Sequence, residues 1–209
     1  MFTLYMRSGS GSAAVEAILA ECGVAIQLVD VPRDGQGFDN YLAINPRGEV
    51  PSLRLPDNSL MTESAAMVIY LADLYPQVRL APAAGSPLRA AYLRWMLYFA
   101  SAVYMADLRY FYPARHSVDP AAEAGIKAKA EIDLNRDFDI FAKALGQGPY
   151  ILGEVFSAAD IYAAVLISWA PDIEAVFARH QNIKRHYELV AARPKITPVW
   201  KSNSMFFHD

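Results

Sequence analysis

Serine and glycine alternate near the start of the chain, from Ser8 to Ser12, and this composition suits the binding of a small ligand. The segment separates a strand-like stretch that ends at Met6 from a helical stretch that begins at Ala13. Serine supplies a hydroxyl for hydrogen bonding, and glycine lets a ligand approach the backbone closely. Junctions between a strand and a helix often hold small polar ligands. We therefore predict a binding loop at this point of the chain.

A second candidate is the segment Asn-Pro-Arg-Gly-Glu-Val-Pro-Ser-Leu at residues 45–53. Proline gives no N–H to a strand ladder, so Pro51 marks a special position at the start of a strand. A cis bond between Val50 and Pro51 would turn the backbone N–H and C=O of Val50 outward, as partners for a peptide-like ligand. An ordinary proline on an edge strand is the alternative.

A third candidate is the pair Glu63 and Ser64 in the first turn of a predicted helix. At a helix start, the hydroxyl and backbone N–H of Ser64 can bind a carboxylate, which the helix dipole also favours. Glu63 beside it can pair with a ligand ammonium group. Ordinary helix capping is the alternative interpretation.

The pair Ser157 and Asp160 has the spacing of a helix capping box, with Asp in place of Glu or Gln. Residues 158–170 behind it are apolar nearly all round, which is typical of a helix at the centre of a bundle. We therefore predict that this pair begins a buried helix and takes no part in chemistry.

Residues 1–80 alternate between strand and helix patterns, and this order predicts an α/β domain with a mixed sheet. The strands are predicted at 2–6, 26–31, 50–55 and 60–62. Helices are predicted from Ala13 to a stop at Gly23, at 38–44, and along an apolar face that ends before Pro76.

A Pro/Gly/Ser/Ala connector at 81–87 precedes an all-helical domain predicted at 88–209. Apolar residues mark one long helix from Leu88 to Tyr110 and a second from Ile126 to Leu145. No convincing strand pattern follows the connector.

Composition excludes several classes of function. Of 209 residues 54% are hydrophobic and 20% charged, and the net charge is −3, so disorder and nucleic-acid binding are not expected. The single Cys22 forms no internal disulfide or dithiol pair, which fits the cytoplasm. The longest apolar run, 161–170, is short of the ~20 residues of a membrane span, and the N-terminus lacks a signal pattern. The four histidines show no ligand spacing, so we predict no metal.

Taken together, these segments resemble the glutathione transferase superfamily over essentially the whole chain. The resemblance is carried by LYxxxxS at residues 4–10, NPxGxVPxL at 45–53, Thr-Glu-Ser-Ala-Ala at 62–66, the connector, and Phe-Ser-Ala-Ala-Asp-Ile at 156–161. It implies a thioredoxin-like first domain with a cis Pro51 and a glutathione site. It also implies an apolar second-substrate pocket supplied by the helical domain.

The opening loop is similar to the bacterial beta class and to the serine-using groups of that superfamily. The resemblance puts Ser10 at the position of the hydroxyl that activates the thiol, with Ser12 as the next candidate, while Gly11 replaces the beta-class cysteine. A merely flexible turn is the alternative for this loop. The residues that the resemblance assigns to glutathione binding are Arg33, Arg47, Glu49, Val50, Pro51, Glu63 and Ser64.

Glu49 departs from the residues common at its position in the family. A carboxylate there would repel the carboxylates of glutathione unless Arg47 or Arg33 neutralises it. The candidates for the pocket of the second substrate are Met6, Arg7, Tyr98, Tyr104, Phe111 and the tail residues Phe206 and Phe207. Tyr104 could polarise a leaving group; packing in the core is the alternative for the helical aromatic residues, and the tail is either a lid or a mobile end.

The resemblance predicts a cytoplasmic homodimeric enzyme of detoxification that conjugates glutathione to small hydrophobic electrophiles. One alternative is a glutathione-dependent isomerase, ether-cleaving or dehalogenating enzyme, in which Arg7 or Arg109 binds a substrate carboxylate. Another is a binding protein of the same fold that has no catalytic activity.

Overall fold

The computed structural model describes residues 1–205. Its first part is built of alternating strands and helices, as predicted. Gly23 ends the first helix in the left-handed conformation (φ 69°), which glycine adopts without steric cost. The elements are β1 (Phe2–Met6), α1 (Ser12–Cys22), β2 (Ile26–Asp30), α2 (Gly35–Leu42), β3 (Ser52–Arg54), β4 (Leu60–Met61) and α3 (Ser64–Leu74).

The four strands form one mixed sheet in the order β2-β1-β3-β4. β1 pairs with β2 in parallel and with β3 antiparallel, with Tyr5 opposite Ser52. β3 and β4 are antiparallel, with Leu53 opposite Met61. The mixed sheet predicted from the element order is therefore confirmed. β3 is shorter than the predicted strand at 50–55 and begins after Pro51, which has no N–H to donate to a ladder.

The later part of the chain is helical among the described residues, apart from isolated bridges at 150–155. The helix predicted from Leu88 to Tyr110 is interrupted by a π-helical segment, Phe99–Val103, whose two end residues are buried. Such segments insert an extra residue per turn and are frequent at functional sites. The helices are α4 (Arg89–Tyr98), α5 (Tyr104–Phe111), α6 (Glu123–Leu145), α7 (Ala158–Ile167), α8 (Ile173–Arg179), α9 (Gln181–Ala191) and α10 (Thr197–Ser202).

The chain forms two compact units that are not continuous in sequence. The first comprises residues 1–83 and the chain from Ala191 onward, and the second comprises 84–190. In the first unit α10 packs against α1, and the Arg193 guanidinium forms two hydrogen bonds of 2.8 and 3.0 Å with the Glu21 carboxylate. The sequence boundaries at residues 80 and 88 stay a prediction.

α7 lies in the core of the second unit, and every residue of it is buried. Because this helix is apolar on nearly all sides, it can be buried on all sides, as the sequence pattern predicts. Its capping box is present, with the Ser157 N–H donating to Asp160 Oδ2 over 2.8 Å. Within residues 1–205, no helix is both long enough and apolar enough to cross a membrane.

Candidate active site

The pairing of the strands brings the serine loop, Val50 and Glu63 to the same edge of the sheet. β1 runs toward the loop and is antiparallel to β3, so the carboxyl end of β1 lies beside the amino end of β3. β4 is antiparallel to β3, so the chain leaves β4 toward Glu63 at that same edge. Three segments that are far apart in sequence therefore meet where a small ligand could contact all of them.

The hydroxyls of Ser10 and Ser12 form a tight cluster with the backbone of Arg7. The two Oγ atoms are 2.6 Å apart, and they lie 2.7 Å (Ser10) and 3.0 Å (Ser12) from the Arg7 carbonyl oxygen. The N–H of Ser12 also donates to Ser10 Oγ over 3.3 Å. Ser12 is completely buried, whereas Ser10 is partly exposed. Only Ser10 of this pair is therefore open to a ligand.

The segment before β3 is held by a buried polar cluster that the sequence did not reveal. The Val50–Pro51 peptide bond is cis, as the resemblance implies. The Tyr41 hydroxyl donates to the Glu49 carbonyl oxygen over 2.6 Å, and the Asn45 amide donates to that same oxygen over 2.8 Å. Both side chains also contact the Ser52 hydroxyl. Asn45 lies in the motif at 45–53, but Tyr41 lies before it in α2, and the contact of both with Ser52 forms only when β3 is in place.

Gly48 gives this segment its shape. It has φ of 64°, and a Cβ atom at this position would lie 2.8 Å from the ring of Phe38. Because such a contact is shorter than side chains tolerate, only glycine fits between the turn and α2. The turn places Arg47 and Glu49 on either side of Gly48.

Arg47 neutralises Glu49, which answers the question raised by that carboxylate. The Arg47 guanidinium donates from Nε and from one terminal nitrogen to the two Glu49 oxygens, over 2.8 and 2.9 Å. The hydrogen bond to Glu49 is the main reason that the pKa of Arg47 lies above its ordinary value, and the charge of Glu63 contributes less. Glu63 therefore lies within electrostatic range of this pair. Arg33 is exposed and forms no ion pair among the described residues.

Glu63 has a strained backbone immediately before α3. Its φ of 66° and ψ of 100° lie where residues other than glycine are uncommon. Strain of this kind costs energy and is concentrated at binding and catalytic sites. Ser64 begins the helix, so the dipole of α3 has its positive end at this position.

Of the pocket candidates in the first unit, Arg7 has its guanidinium engaged. Its Nε donates to the Val31 carbonyl oxygen over 2.8 Å and another nitrogen donates to that of Pro32 over 3.1 Å. The same group lies over the Phe38 ring at 5.7 Å. Arg7 thus fastens the segment after β2. Met6, the last residue of β1, is partly buried.

The pocket candidates in the second unit differ in exposure and in partners. Tyr98 donates its hydroxyl to Asp137 over 3.0 Å, and its pKa is raised, first by burial and then by the Asp137 charge. Tyr104 is partly buried, and its ring meets Trp169 edge-on at 5.2 Å. Phe111 is 50% exposed. Phe206 and Phe207 lie outside the described residues.

Within residues 1–205, no group of at least three His, Cys, Asp or Glu side chains is arranged to hold a metal ion.

The first part of the chain is a thioredoxin-like sheet with hydroxyl, backbone and charged groups at one edge. A helical domain follows it. This combination defines a class of two-domain thiol-binding proteins. Residues 4–79 match the family model for the glutathione S-transferase N-terminal domain, and residues 99–194 match that for the C-terminal domain. The chain therefore belongs to the glutathione S-transferase superfamily and is a transferase of that kind.

Individual relatives cover nearly the whole chain. The glutathione S-transferase GstA of Escherichia coli O157:H7 is 29% identical over 196 residues, which are 92% of this chain and 94% of that protein. A crystal structure of a glutathione transferase homologue from Sulfitobacter, with bound glutathione, has a TM-score of 0.86 and 31% identity over 99% of each chain. The beta-class glutathione S-transferase of Sphingomonas chungbukensis has a TM-score of 0.84 and 26% identity, over 98% of this chain and 100% of that one.

Proposed function

We propose that this protein conjugates glutathione, as its thiolate, to small hydrophobic electrophiles, with Ser10 donating a hydrogen bond to the sulfur. The observation that carries the proposal is the meeting of the serine loop, Val50 and the start of α3 at one edge of the sheet. A peptide thiol needs a hydroxyl for its sulfur, a backbone pair for its amide and a helix terminus for a carboxylate. This edge offers one group of each kind.

Ser10 is the better donor because Ser12 can take over its partner. In the hydroxyl cluster both Oγ atoms are within hydrogen-bond distance of the Arg7 carbonyl. When Ser10 turns its proton toward a sulfur, Ser12 donates to that carbonyl, so no buried acceptor is left unpaired. The Ser12 N–H still donates to Ser10 Oγ. Ser10 then accepts one hydrogen bond while it gives another, and such chains polarise their members.

Activation of the thiol supplies only part of the rate. Lowering a thiol pKa of about 8.5 by ~2 units raises the thiolate fraction at pH 7 roughly 25-fold. The nucleophilicity of the thiolate falls with its pKa, with a slope of ~0.4–0.5, so the net gain is about threefold. The larger gain comes from holding the electrophile beside the sulfur.

The rest of the peptide is held by charge and backbone. No hydrogen bond joins the Val50 N–H or C=O to the rest of the described chain, which leaves both for the peptide amide. Ser64 at the start of α3 receives a carboxylate, and Glu63 receives the ammonium group. The pairing of Arg47 with Glu49 lowers the repulsion that Glu49 would otherwise exert. Arg33 follows β2, which is parallel to β1, so it lies beyond the same edge of the sheet and is a further candidate cation there.

We assign the binding of the electrophile to aromatic residues of the second unit. Tyr104, half-buried against Trp169, is the candidate for polarising a leaving group. Tyr98 lines the pocket and does not act as an acid, because its hydroxyl already donates a hydrogen bond to Asp137 and its pKa is raised. Phe111 adds apolar surface. We further propose that the protein acts as a homodimer in the cytoplasm.

The isomerase alternative requires Arg7 or Arg109 to bind a substrate carboxylate, and the contacts of these residues do not support it. Arg7 already donates to two backbone carbonyls of the segment after β2. Arg109 lies 3.5 Å from the Asp133 carboxylate. A substrate carboxylate would have to displace these partners, so conjugation remains the function that we propose.

The test is the pH dependence of conjugation by Ser10→Ala and Ser12→Ala. We expect Ser10→Ala to raise the pKa of the bound thiol by about 1–2 units and to lower turnover at pH 7 by up to about threefold. Because the thiolate of higher pKa is the stronger nucleophile, the deficit should shrink as pH rises. Ser12→Ala should have a smaller effect of the same sign. Stopped-flow rates and the ultraviolet absorbance of the thiolate measure both quantities.

Ser101→Ala is the matched control, since it removes an exposed helical hydroxyl whose one partner within residues 1–205 is the Leu97 carbonyl. Its turnover and thiol pKa should equal those of the wild type. An unchanged thiol pKa in Ser10→Ala would remove Ser10 from the mechanism. Failure of the wild type to bind glutathione would overturn the proposed function as a whole.

A further inference from the structure

The serine loop is tied to the carboxyl end of the chain by Asn203. Asn203 is 1% exposed and belongs, like the loop, to the first compact unit. Its side-chain oxygen accepts the Gly9 N–H over 3.3 Å. A second tie lies beside it, where the Ser8 hydroxyl donates to the Ser202 carbonyl over 3.2 Å. Both ties act on residues immediately before Ser10.

The orientation of the Asn203 amide is fixed by its surroundings. Its nitrogen donates to Glu16 Oε2 over 2.9 Å and to the Val199 carbonyl over 3.0 Å. Both partners are acceptors, so the nitrogen must face them and the oxygen must face the Gly9 N–H. Glu16 is itself nearly buried, at 9% exposure, and lies in α1. Asn203 thus links the loop to two helices at once.

The other bonds of Ser10 do not reach α10. Ser10 donates its N–H and its hydroxyl to the Arg7 carbonyl, and it accepts hydrogen bonds from the N–H groups of Ser12 and Ala13 at the start of α1. These bonds attach Ser10 to α1 but leave the residues before it without support from the carboxyl end of the chain. Gly9 has φ of 73°, a conformation that glycine reaches freely and also leaves freely. The hydrogen bonds at Gly9 and Ser8 therefore supply the attachment to the carboxyl end of the chain that the bonds of Ser10 do not.

We propose that Asn203 is a positioning residue for the transfer reaction: it holds Gly9, and through Gly9 the hydroxyl of Ser10, in place beside the sulfur. The inference rests on the proposed function, because it requires Ser10 to serve a thiol. Asn203 touches neither substrate in this role. Its removal should therefore lower kcat and leave the KM for glutathione nearly unchanged, since the contacts of the peptide backbone persist.

Asn203→Ala is the direct test, and Asn182→Ala is its matched control. Asn182 makes a comparable set of bonds, from its nitrogen to the Ala142 and Gly146 carbonyls and from the Ile183 N–H to its oxygen. All of these lie in the second unit. Both variants lose a bridging amide, so a loss of stability alone should affect them alike. Thermal unfolding, kcat, both KM values and the pKa of the bound thiol are measured for each.

We expect Asn203→Ala to lower kcat by up to about threefold, and by no more than Ser10→Ala does, because Asn203 acts only through the Ser10 hydroxyl. The pKa of its bound thiol should rise, as in Ser10→Ala, while Asn182→Ala should match the wild type in both. Ser8→Ala is a milder second variant, because Ser8 is exposed and loses only one tie. It should shift the thiol pKa in the same direction by less.

A wild-type thiol pKa in both folded Asn203→Ala and Ser8→Ala would overturn the positioning role. Should Asn203→Ala not fold, an unshifted thiol pKa in Ser8→Ala overturns it alone. A different result would reject the proposed function: Ser10→Ala, assayed alongside, would leave the thiol pKa and the turnover unchanged. A shift in Ser10→Ala without one in the Asn203 and Ser8 variants therefore rejects only the inference.

Discussion

Two aspartates of the second unit, Asp160 and Asp107, are both buried, but they differ in their hydrogen bonding. Asp160 is 0% exposed and Asp107 is 2% exposed. Asp160 accepts hydrogen bonds from the Ile151 N–H and the Ser157 N–H, both over 2.8 Å, and from the Ser157 hydroxyl. It also lies 3.0 Å from His186 Nε2. Neither oxygen of Asp107 has a hydrogen-bond partner among the described residues.

The difference shows that burial alone does not decide the cost of a carboxylate. Donors replace the lost water around Asp160, so its carboxylate stabilises the start of α7. Asp107 follows the π-helical segment in α5 without such donors, and burial raises its pKa well above the usual value. Burial without donors therefore favours the neutral form of this acid over the carboxylate. One aspartate supports the fold and the other weakens it.

Removal of Asp160 should have the largest effect. Asp160→Ala leaves the Ile151 and Ser157 N–H groups and His186 without their acceptor in the core. We expect the free energy of unfolding to fall by about 3–5 kcal/mol, as for other buried polar networks that lose one member. Denaturant titration followed by circular dichroism measures it. A loss under about 1 kcal/mol would contradict the contrast drawn between the two acids.

Replacement of Asp107 should act in the opposite direction. Asp107→Leu removes an unpaired buried acid, and we expect a gain of about 1–3 kcal/mol in the free energy of unfolding. Asp107→Asn keeps an unpaired polar group and should gain less. Chemical denaturation at pH 7 compares the two variants with the wild type. A destabilised Asp107→Asn would mean that the carboxyl group has a partner after all.

The pH dependence of stability should separate the two acids further. Below the ordinary pKa of 3.8, Asp107 is protonated in both states and pH has no effect through it. Above that value the unfolded chain releases the proton while the folded chain keeps it. The free energy of unfolding therefore falls by up to about 1.4 kcal/mol per pH unit, until the raised pKa is reached. Denaturation curves at several pH values should show a shallower slope for Asp107→Asn, and equal slopes would refute this.

Ser157→Ala should have the smallest effect. It removes the hydroxyl of the capping box, while the backbone N–H of residue 157 still donates to Asp160. A loss of about 1 kcal/mol is expected, as for other helix caps. Thermal unfolding of the variant gives the value. A loss as large as that of Asp160→Ala would show that the hydroxyl, and not the carboxylate, holds the start of α7.

The same contrast explains which features could be predicted from the sequence. Ser157 and Asp160 are three residues apart, and this spacing predicts a capping box without any long-range contact. The structure confirms the capping box. The contact of Asp160 with His186 joins residues 26 positions apart, and no local pattern encodes it. The burial of Asp107 was not predicted either, because an acid in a helix is ordinarily on the solvated face.

The candidate site follows the same rule. Ser10 and Ser12 belong to one loop, and the sequence alone marked them as a pair. Neither the cluster of Tyr41 and Asn45 around Ser52 nor the tie from Asn203 to Gly9 could be found in this way. The first needs β3 in place, and the second joins residues 194 positions apart.

The sequence by itself determined the order of the elements, the mixed sheet and the local motifs, because periodicity and short spacings act over a few residues. Only the tertiary structure decided that Arg47, rather than Arg33, pairs with Glu49, that Ser12 is closed to a ligand while Ser10 is open, and that one buried aspartate is paired while another is not. The physical reason is that hydrogen bonding, burial and charge pairing depend on distances in space, which a one-dimensional pattern does not contain.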